Sequence, residues 1–139
     1  MKKIGITGSI ASGKTTASKI ISYKRGPVFS ADDIVKKIYK QIKFQRLIKK
    51  RLKLESNKNF KQEIKKQIFK NKASLTKLEK IVHPAVRKEM NKFILRNKNK
   101  KMLFFEIPLL IESNLKKYFD VVIFIRSKKE IRLNRYRRN

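Results

Sequence analysis

The sequence predicts an α/β fold of three layers, a parallel sheet covered by helices, with a helical insert in the middle of the chain. Three observations carry that prediction. Short apolar runs alternate with segments of helical periodicity, a glycine-containing turn joins the first run to the first helix, and residues 41–97 read as helical and strongly basic.

Lys2 to Thr7 is short and apolar and reads as the first strand. The segment GSIASGKT from Gly8 to Thr15 then matches the pattern G-x-x-x-x-G-K-[ST] in the context that gives it meaning, after a strand and before a helix. Its glycines let backbone N–H groups converge on phosphate oxygens, Lys14 reaches the β and γ phosphates, and the Thr15 hydroxyl can ligate magnesium. The chain is therefore read as a P-loop nucleotide-binding protein, with the nucleotide phosphates held by Gly8, Ala11, Ser12, Gly13, Lys14, Thr15 and Thr16. Ala17, Ile20 and Ile21 fall at helical spacing within Lys14 to Lys24 and complete a first βα unit. Gly26 and Pro27 punctuate it, and Val28 and Phe29 begin a second strand expected to end at Asp32. Ser30 to Asp33 can cap a helix that runs through Ile34, Val35 and Ile38.

From Gln41 to Asn97 apolar residues recur at i, i+3 and i+4: Phe44, Leu47, Ile48 and Leu52, then Ile64, Ile68 and Phe69, then Leu75, Leu78, Ile81 and Val82. Three or four amphipathic helices are predicted, the last broken and restarted at His83-Pro84 because proline disfavours helix in the residue before it. Met102 to Phe105 and Val121 to Ile125 are continuous in apolar character and read as buried parallel strands. Ser127 and Glu130 form a capping box that opens a final helix. With no internal repeat and no linker, residues 1–139 are expected to form one domain with its insert at about 41–97.

Composition narrows the partners. The absence of cysteine excludes disulfides and thiolate metal sites and suits a reducing, cytoplasmic setting, and no apolar run approaches membrane-spanning length. A soluble monomer without a membrane partner is expected. Lys and Arg number 39 against 10 Asp and Glu, a net charge of +29 that normally points to nucleic acid. Here the excess is mostly lysine, spread along the chain with abundant Ile and Asn as codon bias would spread it, which argues against a nucleic-acid stripe and for solvated faces that help gather anionic nucleotides.

Four ordered segments, IGITGSIASGKTT, VFSADDIV, VHPAVR and FFEIPLLIES, together resemble the dephospho-CoA kinase family, whose members typically read TGGIGSGKST, DAD, HP followed by R, and a PLLFE-like segment at these points. The family consists of P-loop kinases of the nucleoside-monophosphate-kinase type that use ATP to phosphorylate the ribose 3'-hydroxyl of dephospho-CoA, the last step of coenzyme A biosynthesis. The resemblance implies that Asp32, matching the second Asp of DAD, orients the acceptor hydroxyl and takes its proton, while Ser30 departs from the first. It also makes Glu106 a magnesium or substrate contact, with Pro108, Leu109, Leu110 and Glu112 on the acceptor side and the helical insert binding the acceptor. His83 and Arg87 become substrate contacts, and Arg135, beside Arg137 and Arg138, becomes the lid arginine that stabilises charge on the transferring phosphoryl group. Read from the residues alone, Asp32 or Asp33 could equally cap a helix, Glu106 could be a polar strand end, the PLL segment could be packing, His83 could have a structural role orienting a loop, and the arginines could be solvated.

Family members continue past the point matching Asn139 through the rest of the lid, a helix and a final strand. On that resemblance Val121 to Ile125 is expected at an open sheet edge, and the activity of the chain is a separate question from its ancestry. Dephospho-CoA kinase is the function expected, with ATP, Mg2+ and dephospho-CoA as its small molecules. The alternatives are another small-molecule or nucleoside monophosphate kinase, or a non-catalytic basic module that binds nucleic acid.

Overall fold

The computed structural model describes residues 1–8, 13–54, 59–108, 115–126 and 128–138, without the side chains of residues 129, 132, 135, 136 and 138. Its elements are β1 (Lys2–Gly8), α1 (Lys14–Ser22), β2 (Val28–Ser30), α2 (Ala31–Lys40), α3 (Ile42–Leu52), α4 (Phe60–Lys70), α5 (Lys72–Arg96), β3 (Met102–Glu106), a short 3-10 turn (Lys116–Tyr118), β4 (Val121–Ile125) and α6 (Lys129–Arg138). The βα alternation, the helical stretch and the return to strands follow the predicted order. Two compact units result, one from residues 1–32 and 92–139 and one from residues 33–91.

In the first unit the four strands form a parallel sheet in the order β2-β3-β1-β4. The interior strands are apolar because both of their faces are covered: Ile6, Leu103 and Phe105 are fully buried and Phe104 nearly so. Phe105 sits within 5.3–6.0 Å, ring centre to ring centre, of Phe29, Phe93 and Phe119. Tilted and edge-on aromatic contacts of this kind each add about 0.5–1.5 kcal/mol beyond the area they bury. Register fixes the functional edge of the sheet: Glu106 lies opposite Ile6 on one side and Ser30 on the other, so β2 and β3 end together and β1 runs two residues further, to Gly8. Asp120 ties the start of β4 to β1, its carboxylate accepting from the Lys3 amide at 2.8 Å while its own amide donates to the Lys3 carbonyl at 2.8 Å.

The second unit buries Ile48, Leu52, Ile64, Leu78 and Val82, with Val35, Tyr39, Phe44, Phe60, Ile68, Ile81 and Val86 packed against them. Burial pushes the Tyr39 phenol above its usual value. No helix among the described residues is long and apolar enough to cross a membrane.

Several expectations change. The second strand ends at Ser30, not Asp32, because α2 begins at Ala31 and places Asp32 in its first turn. Helix α5 runs unbroken from Lys72 to Arg96 through Pro84. The buried Leu78 and Val82 before the proline, and the packed Val86 after it, anchor the helix on both sides and offset the missing N–H. On α1 the buried positions are Ser18 and Ser22, while Ile20 is 69% exposed. On the insert Leu47 and Leu75 are each 40% exposed and Phe69 is 96% exposed, since a helix packed on one side buries a narrower stripe than the apolar spacing allows. Strand β4 is only half covered, with Val121 and Phe124 each 46% exposed, because it pairs with β1 alone among the described strands. Ser127, the expected cap of the last helix, lies outside the described residues.

Candidate active site

The site is built where β1, β2 and β3 end and α1 and α2 begin, the edge at which open parallel sheets bind their ligands. Gly13 stands immediately before α1 with φ 91° and ψ 24°, a left-handed conformation that a residue with a Cβ adopts only at a cost. It turns the chain sharply into the helix, whose first backbone bond runs from Ala17 N to Gly13 O at 2.9 Å. The N-terminal amides of α1 have no intrahelical acceptors, so the turn presents donors and the positive end of the helix dipole to an anion. Lys14 Nζ donates to the Gly8 carbonyl at 3.2 Å, which holds the ammonium against the end of β1.

Glu106 is the centre of the arrangement. It closes β3, is only 5% exposed, and accepts from Thr15 Oγ1 at 2.7 Å on Oε1 and from Ser18 Oγ at 2.9 Å on Oε2. A hydroxyl and a carboxylate in direct contact are hard oxygen donors of the type magnesium takes, and this ion needs only one or two carboxylates once phosphate and water complete its shell. The pair Thr15 and Glu106 therefore fits the ion. Among the described residues no cluster of three His, Cys, Asp or Glu exists that could hold a metal without such help. Asp32, in the first turn of α2 and two residues beyond the Ser30 that faces Glu106, is exposed at the same edge.

Of the residues singled out in the sequence, Gly8, Gly13, Lys14, Thr15, Thr16, Asp32 and Glu106 thus gather at one edge, with Thr16 exposed on the first turn of α1 and Pro108 half-buried just past β3. Ala11, Ser12, Leu109, Leu110 and Glu112 lie outside the described residues. Arg135 is on α6 with its side chain outside the description, and the neighbouring Arg137 is exposed. His83 and Arg87 belong to the second unit, exposed one turn apart on α5. Sequence reasoning passed over Ser18. Its only signal was its spacing, one turn beyond Lys14 and Thr15, where a small polar residue takes the place of the expected apolar one.

Residues 2–139 match the family model described as CoaE, dephospho-CoA kinase. The chain belongs to the dephospho-CoA kinase family. Relatives named dephospho-CoA kinase include one from Fusobacterium nucleatum, 38% identical over 95% of this chain and 70% of its own length. Another, from Rickettsia prowazekii, is 38% identical over 97% of this chain and 70% of its own. The fold agrees: a crystal structure of a Thermus thermophilus protein superposes with a TM-score of 0.85 at 24% identity, over 99% of this chain and 72% of that one. A structure of dephospho-CoA kinase from Campylobacter jejuni superposes with a TM-score of 0.59 at 22% identity, over 97% of this chain and 94% of that one. Family membership makes the protein an ATP-dependent kinase, and its parallel sheet with flanking helices is the P-loop kinase fold.

Proposed function

We propose that the chain transfers the γ phosphate of ATP to the ribose 3'-hydroxyl of dephospho-CoA, giving ADP and coenzyme A. The observation that carries this reading is the contact between Thr15 at the start of α1 and Glu106 at the end of β3, within a chain that matches the dephospho-CoA kinase model over residues 2–139. Gly13 and the amides at the start of α1 receive the phosphates, and Lys14, released from the Gly8 carbonyl, neutralises charge on the β and γ groups. Asp32 accepts the hydroxyl proton as the new bond from the 3'-oxygen to phosphorus forms and the bond to the ADP oxygen breaks. The role of Asp32 is supported by its exposure at the strand edge that also carries Glu106. Thr15 and Glu106 would hold magnesium, which supplies charge neutralisation on the phosphates. Arg135 is the candidate to stabilise charge on the phosphoryl group, and His83 and Arg87 are candidates for contacts with the acceptor. Ala11, Ser12 and Thr16 are candidates for contacts with the phosphates, and Pro108 and Leu109 for contacts with the acceptor. The same reading treats the protein as one kinase domain with a helical insert, working as a cytosolic monomer; the absence of cysteine is in keeping with a reducing compartment.

The test is phosphoryl transfer from ATP to dephospho-CoA by the purified chain beside its Lys14→Ala and Asp32→Asn variants. The Asp32→Asn variant should lose about 10²–10⁴-fold in kcat with ATP binding retained, the range expected for a positioned general base. Lys14→Ala should weaken both ATP binding and turnover. Equal transfer to an analogue that lacks the 3'-hydroxyl, or full activity in Asp32→Asn, sinks the assignment.

A further inference from the structure

Among the described residues Ser18 is the most deeply buried polar side chain of the first unit, 1% exposed, and its hydroxyl lies within reach of three oxygens. These are the carbonyl of Lys14 at 2.8 Å, the carbonyl of Thr15 at 3.1 Å and Oε2 of Glu106 at 2.9 Å. A hydroxyl has one proton to give. Both carbonyls lie inside α1, where the helical ladder already supplies each with an N–H four residues on. Among the described residues the Glu106 carboxylate takes its hydrogen bonds from Thr15 on Oε1 and from Ser18 on Oε2. A hydrogen bond to a carboxylate is roughly twice as strong as one to a neutral acceptor, so the proton of Ser18 belongs on Glu106.

We propose that Ser18 is a positioning residue which pins Oε2 of Glu106 and so keeps Oε1 turned toward Thr15, setting the carboxylate for the magnesium that accompanies ATP. Two fixed points define the plane of a carboxylate; one leaves it free to rotate about the last bond of a flexible side chain. Glutamate has one methylene more than aspartate, and Ser18 removes the freedom that this extra bond brings. The inference rests on the kinase reading above, because only a nucleotide–magnesium site gives the orientation of Glu106 a consequence.

Calorimetric binding of a non-hydrolysable ATP analogue, titrated with Mg2+ and repeated in EDTA, tests it on the parent, Ser18→Ala, Ser18→Cys and Ser18→Thr. Groups that orient a metal-binding side chain typically contribute about 10–100-fold to metal affinity. Ser18→Ala and Ser18→Cys should both need about 10–100-fold more Mg2+ while their affinity for the analogue in EDTA stays within about twofold of the parent. Ser18→Thr, which keeps the hydroxyl, should return toward parental Mg2+ dependence. Cysteine fills the same space with a much weaker donor, so it carries the comparison if the alanine variant does not fold. Parental Mg2+ dependence in Ser18→Cys, or an equal loss of affinity in EDTA, overturns the proposal and makes Ser18 a packing residue. A parent chain whose analogue binding ignores Mg2+ is a different result: it removes the magnesium site at Thr15 and Glu106 on which the proposed mechanism rests.

Discussion

At the scale of single residues, the site depends on backbone that leaves no room for substitution. Gly13 is needed for its left-handed conformation, whereas Gly26 is needed for space: a Cβ there would stand 2.1 Å from the carbonyl oxygen of Met102 and 3.0 Å from its carbon. The obstacle is backbone, not the tip of a mobile side chain, and that backbone is locked at the start of β3 between β1 and β2. Glycine to alanine at a permissive site normally stabilises by about 0.4–1 kcal/mol through the unfolded chain. Gly26→Ala should reverse that sign and cost about 2–4 kcal/mol, as overpacking against fixed backbone does. Urea unfolding measures it, and a loss below about 1 kcal/mol would mean that the turn before β2 yields more easily than its contacts imply.

At the scale of elements, what the sequence disclosed and what it hid separate along a physical line. Apolar runs and glycine spacing report local backbone state, so β1, α1, β3 and β4 were legible, whereas the pairing of Thr15 with Glu106, 91 positions away, was pointed to only by the family resemblance. Which face of an element is covered depends on neighbours distant in sequence. That is why Ile20 and Phe69 were expected inside and are exposed, and why Ser18, buried by its bond to a carboxylate 88 positions away, passed unnoticed. Pro84 belongs to the same class. A rule about local backbone predicted a break, and burial of Leu78 and Val82 overrode it. The helix therefore carries a cost that can be removed: proline inside a helix is unfavourable by about 3 kcal/mol, part of which reflects a stiffer unfolded chain. Pro84→Ala should raise stability by about 1–2 kcal/mol in urea unfolding with an unchanged denaturant slope. An unchanged midpoint would mean that the turn around His83 is already relaxed and that the proline is accommodated without loss.

At the scale of the whole molecule, charge acts on folding and on ligand capture together. With a net charge of +29 on 139 residues, the folded chain gathers like charges that the unfolded chain can spread apart. Self-repulsion of this kind is long-ranged and yields to salt, since the screening length falls from about 30 Å at 0.01 M to about 3 Å at 1 M. The thermal midpoint should therefore rise as NaCl increases from about 0.01 to 0.5 M. The same field draws in ATP, so the association rate of an ATP analogue should fall by about tenfold or more over that range while its dissociation rate changes little. Lys14 separates the global field from the local contact. Removing one of 39 cations scarcely alters the field, so Lys14→Ala should keep the salt slope of the association rate and lose affinity mainly through faster dissociation. If Lys14→Ala instead abolishes the salt slope, the attraction is local to the phosphate turn, and the charge spread over the rest of the chain contributes nothing to nucleotide capture.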